Sequence, residues 1–359
     1  MKIIEVIPHL KSGGAEKFVV DLSASFANKG HEVHIVTLFD PSEDDLLYSQ
    51  ISNKVKKKSL GKKLGSNWKT FFKLLYYIRT ENPDTVHLHI GAIKYGLISA
   101  LLYRKCNYFA TIHSEAKREA GKGIEKYIRK ILFGLKLITP VTISDESERS
   151  FKNFYGYHAL MIPNGTAPNE LGNLCELRKK FHSDVNYLFV HAGRIHPVKN
   201  QVMLVSAIED IINMGYNIRL LLLGRNDNDE IMSFINTHLS DKIQYIGEIK
   251  NVRDYVAIAD AFCLTSHQEG LPITALEAFS VGTPVISTPV GGCINVVKEG
   301  YTGYLSKEVT KKAYINSLLH FMSLPSNVRN QMKTNCLDEY NKKYSIETCA
   351  KRYLEVFNR

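Results

Sequence analysis

Short apolar runs recur along the chain, each followed by a polar or glycine-rich turn and then by a helical pattern. Ile3-Ile4-Glu5-Val6-Ile7 is the first run, and residues 17–28 the first helical stretch, with Phe18, Val19, Leu22 and Phe26 at helical spacing. Runs that are apolar at nearly every position suit parallel strands covered on both faces, so the alternation predicts βα units. Further strands are expected at 33–39, 84–90, 108–113 and 138–143. Ser144-Asp-Glu-Ser after the last of these reads as a helix N-cap with acids in its first turn. Residues 166–184 are polar and weakly patterned. The alternation then restarts, with strands at 187–192, 218–224, 243–247 and 261–265 and another from 285, before helices over about 310–357. The pattern predicts an α/β chain of two units, 1–165 and 185–340, joined by a linker at 166–184.

The length of 359 residues agrees with two domains. Composition, 44% apolar and 23% charged, is that of a globular protein, and no apolar run reaches the length of a membrane span. The first residues read as a strand, so no signal peptide is expected. Six scattered cysteines without a C-x-x-C suggest neither a zinc site nor a disulfide framework, and a reducing, cytoplasmic setting is expected. Charge is uneven. Residues 1–165 hold 25 Lys+Arg against 16 Asp+Glu, and residues 166–359 hold 21 against 20, so the excess sits in the first half. That half is the one expected to meet an anionic partner.

Candidate chemistry centres on Thr265-Ser-His-Gln-Glu-Gly-Leu-Pro-Ile-Thr-Ala-Leu-Glu-Ala-Phe-Ser-Val-Gly282. Pro272 suits the first helical position and Gly282 a left-handed stop. The helix start at Gly270, Leu271, Pro272 and Ile273 offers unpaired N–H groups to an anion. Glu269 and Glu277 bracket that seat, and Glu277 leans back toward the helix start. The alternative is that Thr274, Glu277 and Val281 are a solvated face.

With seven residues between Glu269 and Glu277 inside E-G-L-P-x-x-x-L-E-A-x-x-x-G-x-P-V-I, the stretch resembles the hallmark of glycosyltransferase family 4. These are retaining enzymes that use nucleotide sugars. The resemblance implies the GT-B fold: two Rossmann-like domains facing each other across a cleft, with a last helix, here 341–359, packed back on the first domain. It spans nearly the whole chain. Gly13-Gly14-Ala15-Glu16 is similar to the family's first loop, whose amides approach donor phosphates and acceptor. His113 matches the histidine that contacts the donor sugar, although Ser114 stands where the family usually has Asp. Asn164 lies in the family's Pro-Asn-Gly crossover turn. Gly193-Arg194 and Lys199 match the cations that neutralise the departing diphosphate, chemistry that fixed charges in a dry cleft perform without a metal. Gly224 and Gly247 end strands whose loops bind the base through backbone groups. Glu269 would orient the sugar and Glu277 the ribose, while Ile294-Asn295 replaces a frequent Pro-Glu. The resemblance implies no cofactor, a nucleotide-sugar donor (a UDP-sugar being the commonest in the family), a saccharide or lipid-linked acceptor, and surface-polysaccharide assembly.

Two features stand apart. Residues 53–63 carry six lysines ahead of a helical pattern with Trp68, Phe71, Phe72, Leu75 and Ile78 at helical spacing. This is either a solvated loop and a helix with an aromatic core face, or a patch that docks Lys54–Lys63 on anionic lipid at the inner face of the cytoplasmic membrane. His87, His89 and His113 raise the question of a metal, but no carboxylate stands at ligand spacing beside them in sequence, so none is expected. Other GT-B chemistries, an epimerase or a phosphorylase, share the fold and phosphate sites. A non-catalytic carbohydrate or nucleic-acid binder is a further alternative, disfavoured by the retained Arg194, Lys199, Glu269 and Glu277 and by the lack of an RNA-binding aromatic motif.

Overall fold

The structure, a computed structural model, describes every residue except Ser12, Leu64, Ser66, Asn67, Gly121, Lys122, Asn169, Glu170 and Arg359. It divides into two units, Met1–Ala167 with Ile346–Arg359, and Pro168–Ser345.

The first unit is built on β1 (Lys2–Ile7), β2 (Glu32–Thr37), β3 (Lys56–Ser59), β4 (Thr85–His89), β5 (Asn107–Ile112), β6 (Thr139–Thr142) and β7 (Leu160–Met161). All pairings are parallel, in the order β3-β2-β1-β4-β5-β6-β7. Successive residues of β1 feed two cores. Ile4 and Val6 pack with Leu74, Ile78 and Phe151, and Ile3 and Ile7 with Phe18, Phe26 and Tyr353. Both faces are covered, which is why the strand reads as a continuous apolar run. Glu5 interrupts it and is fully buried. The last helix, Ile346–Phe357, closes the second of these cores. Its Phe357 ring lies 4.8 Å from Phe109 and 5.8 Å from Phe26.

The second unit repeats the plan with β8 (Tyr187–Ala192), β9 (Ile218–Leu223), β10 (Ile243–Gly247), β11 (Ala261–Leu264), β12 (Val285–Ser287) and β13 (Gly303–Leu305). The sheet order is β10-β9-β8-β11-β12-β13, again parallel throughout. In each sheet the chain winds outward first on one side of the opening strand and later on the other. Order therefore reverses beside β1 and beside β8. Helices leave in opposite directions there, and the loops past the strand ends border a crevice. Both units are Rossmann-like, as the resemblance implies.

Several local expectations are corrected. Part of the lysine run is a strand: β3 pairs with β2 at the sheet edge and exposes Lys56, Lys57 and Lys58. Charged side chains on an edge strand discourage pairing with another chain. The following helix, Lys69–Glu81, buries Thr70, Leu74, Leu75 and Ile78 and packs Phe71 against Tyr95, so of the expected stripe only Trp68 and Phe72 face solvent. Trp68 is 66% exposed and Phe72 48%. The expected linker contains a helix, Leu174–Phe181, whose Phe181 is buried with its ring 5.7 Å from Tyr255. Residues 168–184 thus belong to the second unit, as do 341–345, and the last helix starts at Ile346. The first helix runs from Gly14, three residues earlier than its apolar pattern. Among the described residues, no helix is long and apolar enough to cross a membrane.

Candidate active site

The loops beyond β8 and β11 are laced together. After β8 the chain passes Gly193 and Arg194, makes a short turn at Pro197–Lys199 and enters the helix Gln201–Asn213. The Thr265 hydroxyl donates to the carbonyls of Lys199 and Asn200 at 3.0 and 3.1 Å. The His267 N–H donates to the Val198 carbonyl at 2.8 Å. This brings Lys199 to Glu269: Nζ lies 2.7 Å from Oε1, and the Ser266 hydroxyl donates to the same oxygen at 2.5 Å. Both charged side chains are largely shielded from water, which strengthens their attraction.

Two glycines back this loop. Gly291 has φ +51°, and a Cβ there would fall 1.7 Å from the Glu269 carbonyl oxygen. A Cβ on Gly292 would fall 2.0 Å from that of Gly270. The Gly292 N–H donates to the Glu269 carbonyl at 3.3 Å, and the Thr288 hydroxyl to that of Ser266 at 2.7 Å. The turn after β12 therefore supports the Glu269 segment, a role the sequence did not single out. Gly224 meets Gly193 in the same manner: its φ is +136°, and a Cβ would stand 2.1 Å from the Gly193 carbonyl oxygen. The Gly224 N–H donates to the Gly247 carbonyl at 2.8 Å, and the Gly224 carbonyl accepts from the Tyr245 hydroxyl at 2.7 Å.

Beneath Lys199, His191 donates from Nδ1 to the Cys263 carbonyl at 2.9 Å, and its Nε2 is 3.3 Å from the Gln201 amide nitrogen. Burial lowers its pKa to about 4, so it is a neutral prop at pH 7.

Other expected residues of this unit are placed differently. Pro272 is the N-cap of the helix Ile273–Ser280, not its first residue, because its ψ of 92° is extended. Its carbonyl accepts from Ala275 and Leu276. Gly282 is left-handed, with φ +72°. Glu277 is no solvated face: it is half-buried, with Oε1 3.6 Å from Nη2 of the buried Arg253. Arg194 does not sit with Lys199 as a pair. Its side chain is 57% exposed and its Nη1 lies 3.1 Å from Asp227, which also holds Arg225 at 2.6 Å.

In the first unit, Gly13 is the N-cap of Gly14–Asn28 in extended conformation. A Cβ on Gly13 would fall 2.1 Å from Glu16 Oε2. The Glu16 carboxylate thus folds back over the helix start, where a phosphate would meet a negative charge. That makes these amides a poorer phosphate cradle than the glycines alone suggest. Asn164 is buried in a turn tied to the last helix, where Cys349 Sγ is 3.2 Å from the Pro163 carbonyl. It is not an open binding position.

His113 follows β5. Its N–H and that of Ser114 donate to Glu119 Oε2 at 2.7 and 3.1 Å, so a carboxylate six residues on organises the loop where the family's Asp is missing. The sheet register sets Glu5 opposite His87. Glu5 Oε2 lies 3.0 Å from His87 Nδ1 and 2.6 Å from His89 Nε2, and His89 Nδ1 lies 3.0 Å from His113 Nε2. No carboxylate stands beside these histidines in sequence, but the neighbouring strand supplies one in space, Glu5. Among the described residues, Glu5–His87–His89 and Glu32–His34–Glu81 bring three potential ligand atoms within 4.8 Å of one another. In the first trio both histidine nitrogens face the same Glu5 oxygen, at 3.0 and 2.6 Å.

The chain is similar to known glycosyltransferases. Residues 12–170 match the family described as Glycosyltransferase Family 4, and residues 176–337 the family described as Glycosyl transferases group 1. The chain is 26% identical over 319 residues to the N-acetyl-alpha-D-glucosaminyl L-malate synthase of Bacillus anthracis, covering 82% of this chain and 80% of that one. It is 23% identical over 351 residues, 94% of each chain, to a Campylobacter jejuni alpha-1,4-N-acetyl-D-galactosaminyltransferase whose name gives an undecaprenol diphosphate-linked saccharide. Among solved structures, Anabaena Alr3699/HepE in complex with UDP superposes with a TM-score of 0.81 over 100% of both chains at 19% identity.

Proposed function

This chain belongs to glycosyltransferase family 4, and we propose that it moves a sugar, with retained anomeric configuration, from a UDP-sugar to a saccharide or lipid-linked saccharide acceptor. It is a glycosyl-transferring enzyme of GT-B fold. The setting proposed is polysaccharide or glycolipid assembly.

One observation carries the reading: Lys199 and Glu269 are held 2.7 Å apart at the switch point of the second sheet, on loops that two glycines brace. As the glycosidic bond breaks, the diphosphate gains negative charge. Lys199, the amides of Gly270 and Leu271, and Arg194 once drawn from Asp227 would stabilise it, so charge comes from side chains and helix amides without a metal. Glu269, released from Lys199, orients the sugar hydroxyls, and Glu277 the ribose. No side chain in this set is placed as a covalent nucleophile. The reading is front-face displacement, in which the leaving oxygen helps to deprotonate the acceptor. Catalysis is then positioning plus charge stabilisation. UDP is supported by the complex of the Anabaena protein, and a lipid-linked acceptor by the name of the Campylobacter relative.

Peripheral contact with anionic lipid belongs to the same reading. Trp68, Phe72 and Tyr76 recur every four residues, are 66%, 48% and 74% exposed, and are interleaved with Lys69 and Lys73. Aromatics with interleaved cations suit a bilayer interface.

Lys199→Ala and Arg194→Ala should each lower UDP release from the preferred UDP-sugar by about 10²–10³-fold, with both variants still folded by circular dichroism. Near-wild-type turnover would remove the diphosphate assignment. Turnover that ignores any acceptor, or needs free phosphate, would favour an epimerase or a phosphorylase instead.

A further inference from the structure

Glu5, His89 and His113 form an unbroken line of polar contacts across three neighbouring strands, from the middle of β1 through the end of β4 to the residue after β5. We infer that this line fixes His113 in one neutral tautomer, with its proton on Nε2 and a bare lone pair on Nδ1 that accepts a sugar hydroxyl. Glu5 and His89 are thereby positioning residues of the transfer. The inference rests on the reading of His113 as a sugar contact.

Each link removes one freedom. Burial alone would raise the Glu5 pKa, but its contacts with His87 and His89 outweigh that and hold it at about 2. An ionised carboxylate only accepts, so His89 Nε2, 2.6 Å away, carries the proton. Burial, aided by His87, lowers the His89 pKa to about 4, so the ring is neutral and its Nδ1 is an acceptor. The atom facing that acceptor at 3.0 Å is His113 Nε2, which must donate. His113 is itself kept neutral by burial and by the two neighbouring histidines. Its Nδ1 is left as a lone pair, buried and without a hydrogen-bond partner.

A side arm steadies the carboxylate. His87 Nδ1 lies 3.0 Å from the same Glu5 oxygen, its Nε2 2.7 Å from the Thr111 hydroxyl, and that hydroxyl 2.9 Å from Tyr353 OH on the last helix. From the other side the Phe18 ring stands edge-on to both His89 and His113, at 6.4 and 5.7 Å.

The line ends on an unused acceptor, His113 Nδ1, and an unmade buried hydrogen bond costs about 1–3 kcal/mol. The chemistry gives it a use: a sugar losing its leaving group develops positive charge, as glycosyl cleavage generally does. A neutral acceptor orients a hydroxyl without repelling that charge, whereas an imidazolium would repel it.

The test is ¹⁵N-histidine NMR of the ligand-free protein, with His89→Gln and His113→Gln as assignment controls. The expected result is neutral Nε2–H for both rings at pH 7. In Glu5→Gln an amide can donate to His89, and the His113 tautomer should become mixed or reversed. UDP release from the UDP-sugar preferred in a panel should fall about 10–10³-fold in Glu5→Gln. In a His113→Ala background Glu5→Gln should cost nothing further. An imidazolium or an Nδ1–H tautomer in the wild type would overturn the proposal whether or not Glu5→Gln folds. So would an unchanged tautomer in Glu5→Gln, additive losses in the cycle, or one equivalent of divalent metal copurifying on Glu5, His87 and His89. UDP binding by calorimetry tests the diphosphate seat in the other unit. Its absence in the wild type would sink the proposed function and leave the tautomer result standing.

Discussion

Single residues decide this molecule where the backbone crowds or a charge is buried. Gly30 and Gly291 both have positive φ, but nothing lies within 4 Å of a Cβ on Gly30, while one on Gly291 would meet the Glu269 carbonyl at 1.7 Å. Gly30→Ala should therefore cost only about 1 kcal/mol of backbone strain. Gly291→Ala must also push the Glu269 segment aside, so it should cost more and lose most of its turnover. Thermal unfolding with an activity assay distinguishes them, and equal melting with equal activity would show that the 291–292 turn does not support the site. Pattern reading could not separate these glycines, because a turn glycine looks the same whether its neighbour is solvent or a carbonyl. Glu5 was hidden for a similar reason: its partners are eighty-odd residues away and become neighbours only through parallel pairing. Lys199 and Glu269 were legible because each lies in a motif with a defined spacing.

Among elements, periodicity named the strands well and the exposed faces poorly. Runs such as 220–223 are apolar throughout because both faces of the sheet are covered. The helix Lys69–Glu81 has two apolar sets, and spacing alone did not tell that Leu74, Leu75 and Ile78 face the core while Trp68, Phe72 and Tyr76 face solvent. The lysines of 56–58 read as a loop because an edge strand with exposed cations lacks apolar alternation. The proposed membrane contact is tested at this scale. Replacing Trp68, Phe72 and Tyr76 with Ser should abolish cosedimentation with phosphatidylglycerol vesicles, and replacing Lys56, Lys57 and Lys58 with Gln should weaken it most at low salt. Unchanged cosedimentation in both would return the helix and strand to ordinary surface.

At the scale of the chain, one winding scheme is used twice, and sheet order reverses beside the opening strand each time. That repetition explains why residues far apart in sequence converge: 193–199, 224, 265–272 and 291–292 all follow strand ends of the second sheet. It also explains why the last helix had to be placed by resemblance. Its polar and apolar residues show that it needs a partner but do not say which unit supplies the core containing Phe26 and Phe109.

Donor binding depends on a nucleoside diphosphate being held by the second unit through Lys199 and a helix start. Titration calorimetry of UDP in the presence of EDTA, on the wild type and on Lys199→Ala, tests this most directly. One UDP should bind per chain without added metal, with an affinity at least tenfold weaker in the variant, a loss of about 1.4 kcal/mol. No heat with the wild type, equal affinity in Lys199→Ala, or binding only after a divalent cation is restored would contradict it.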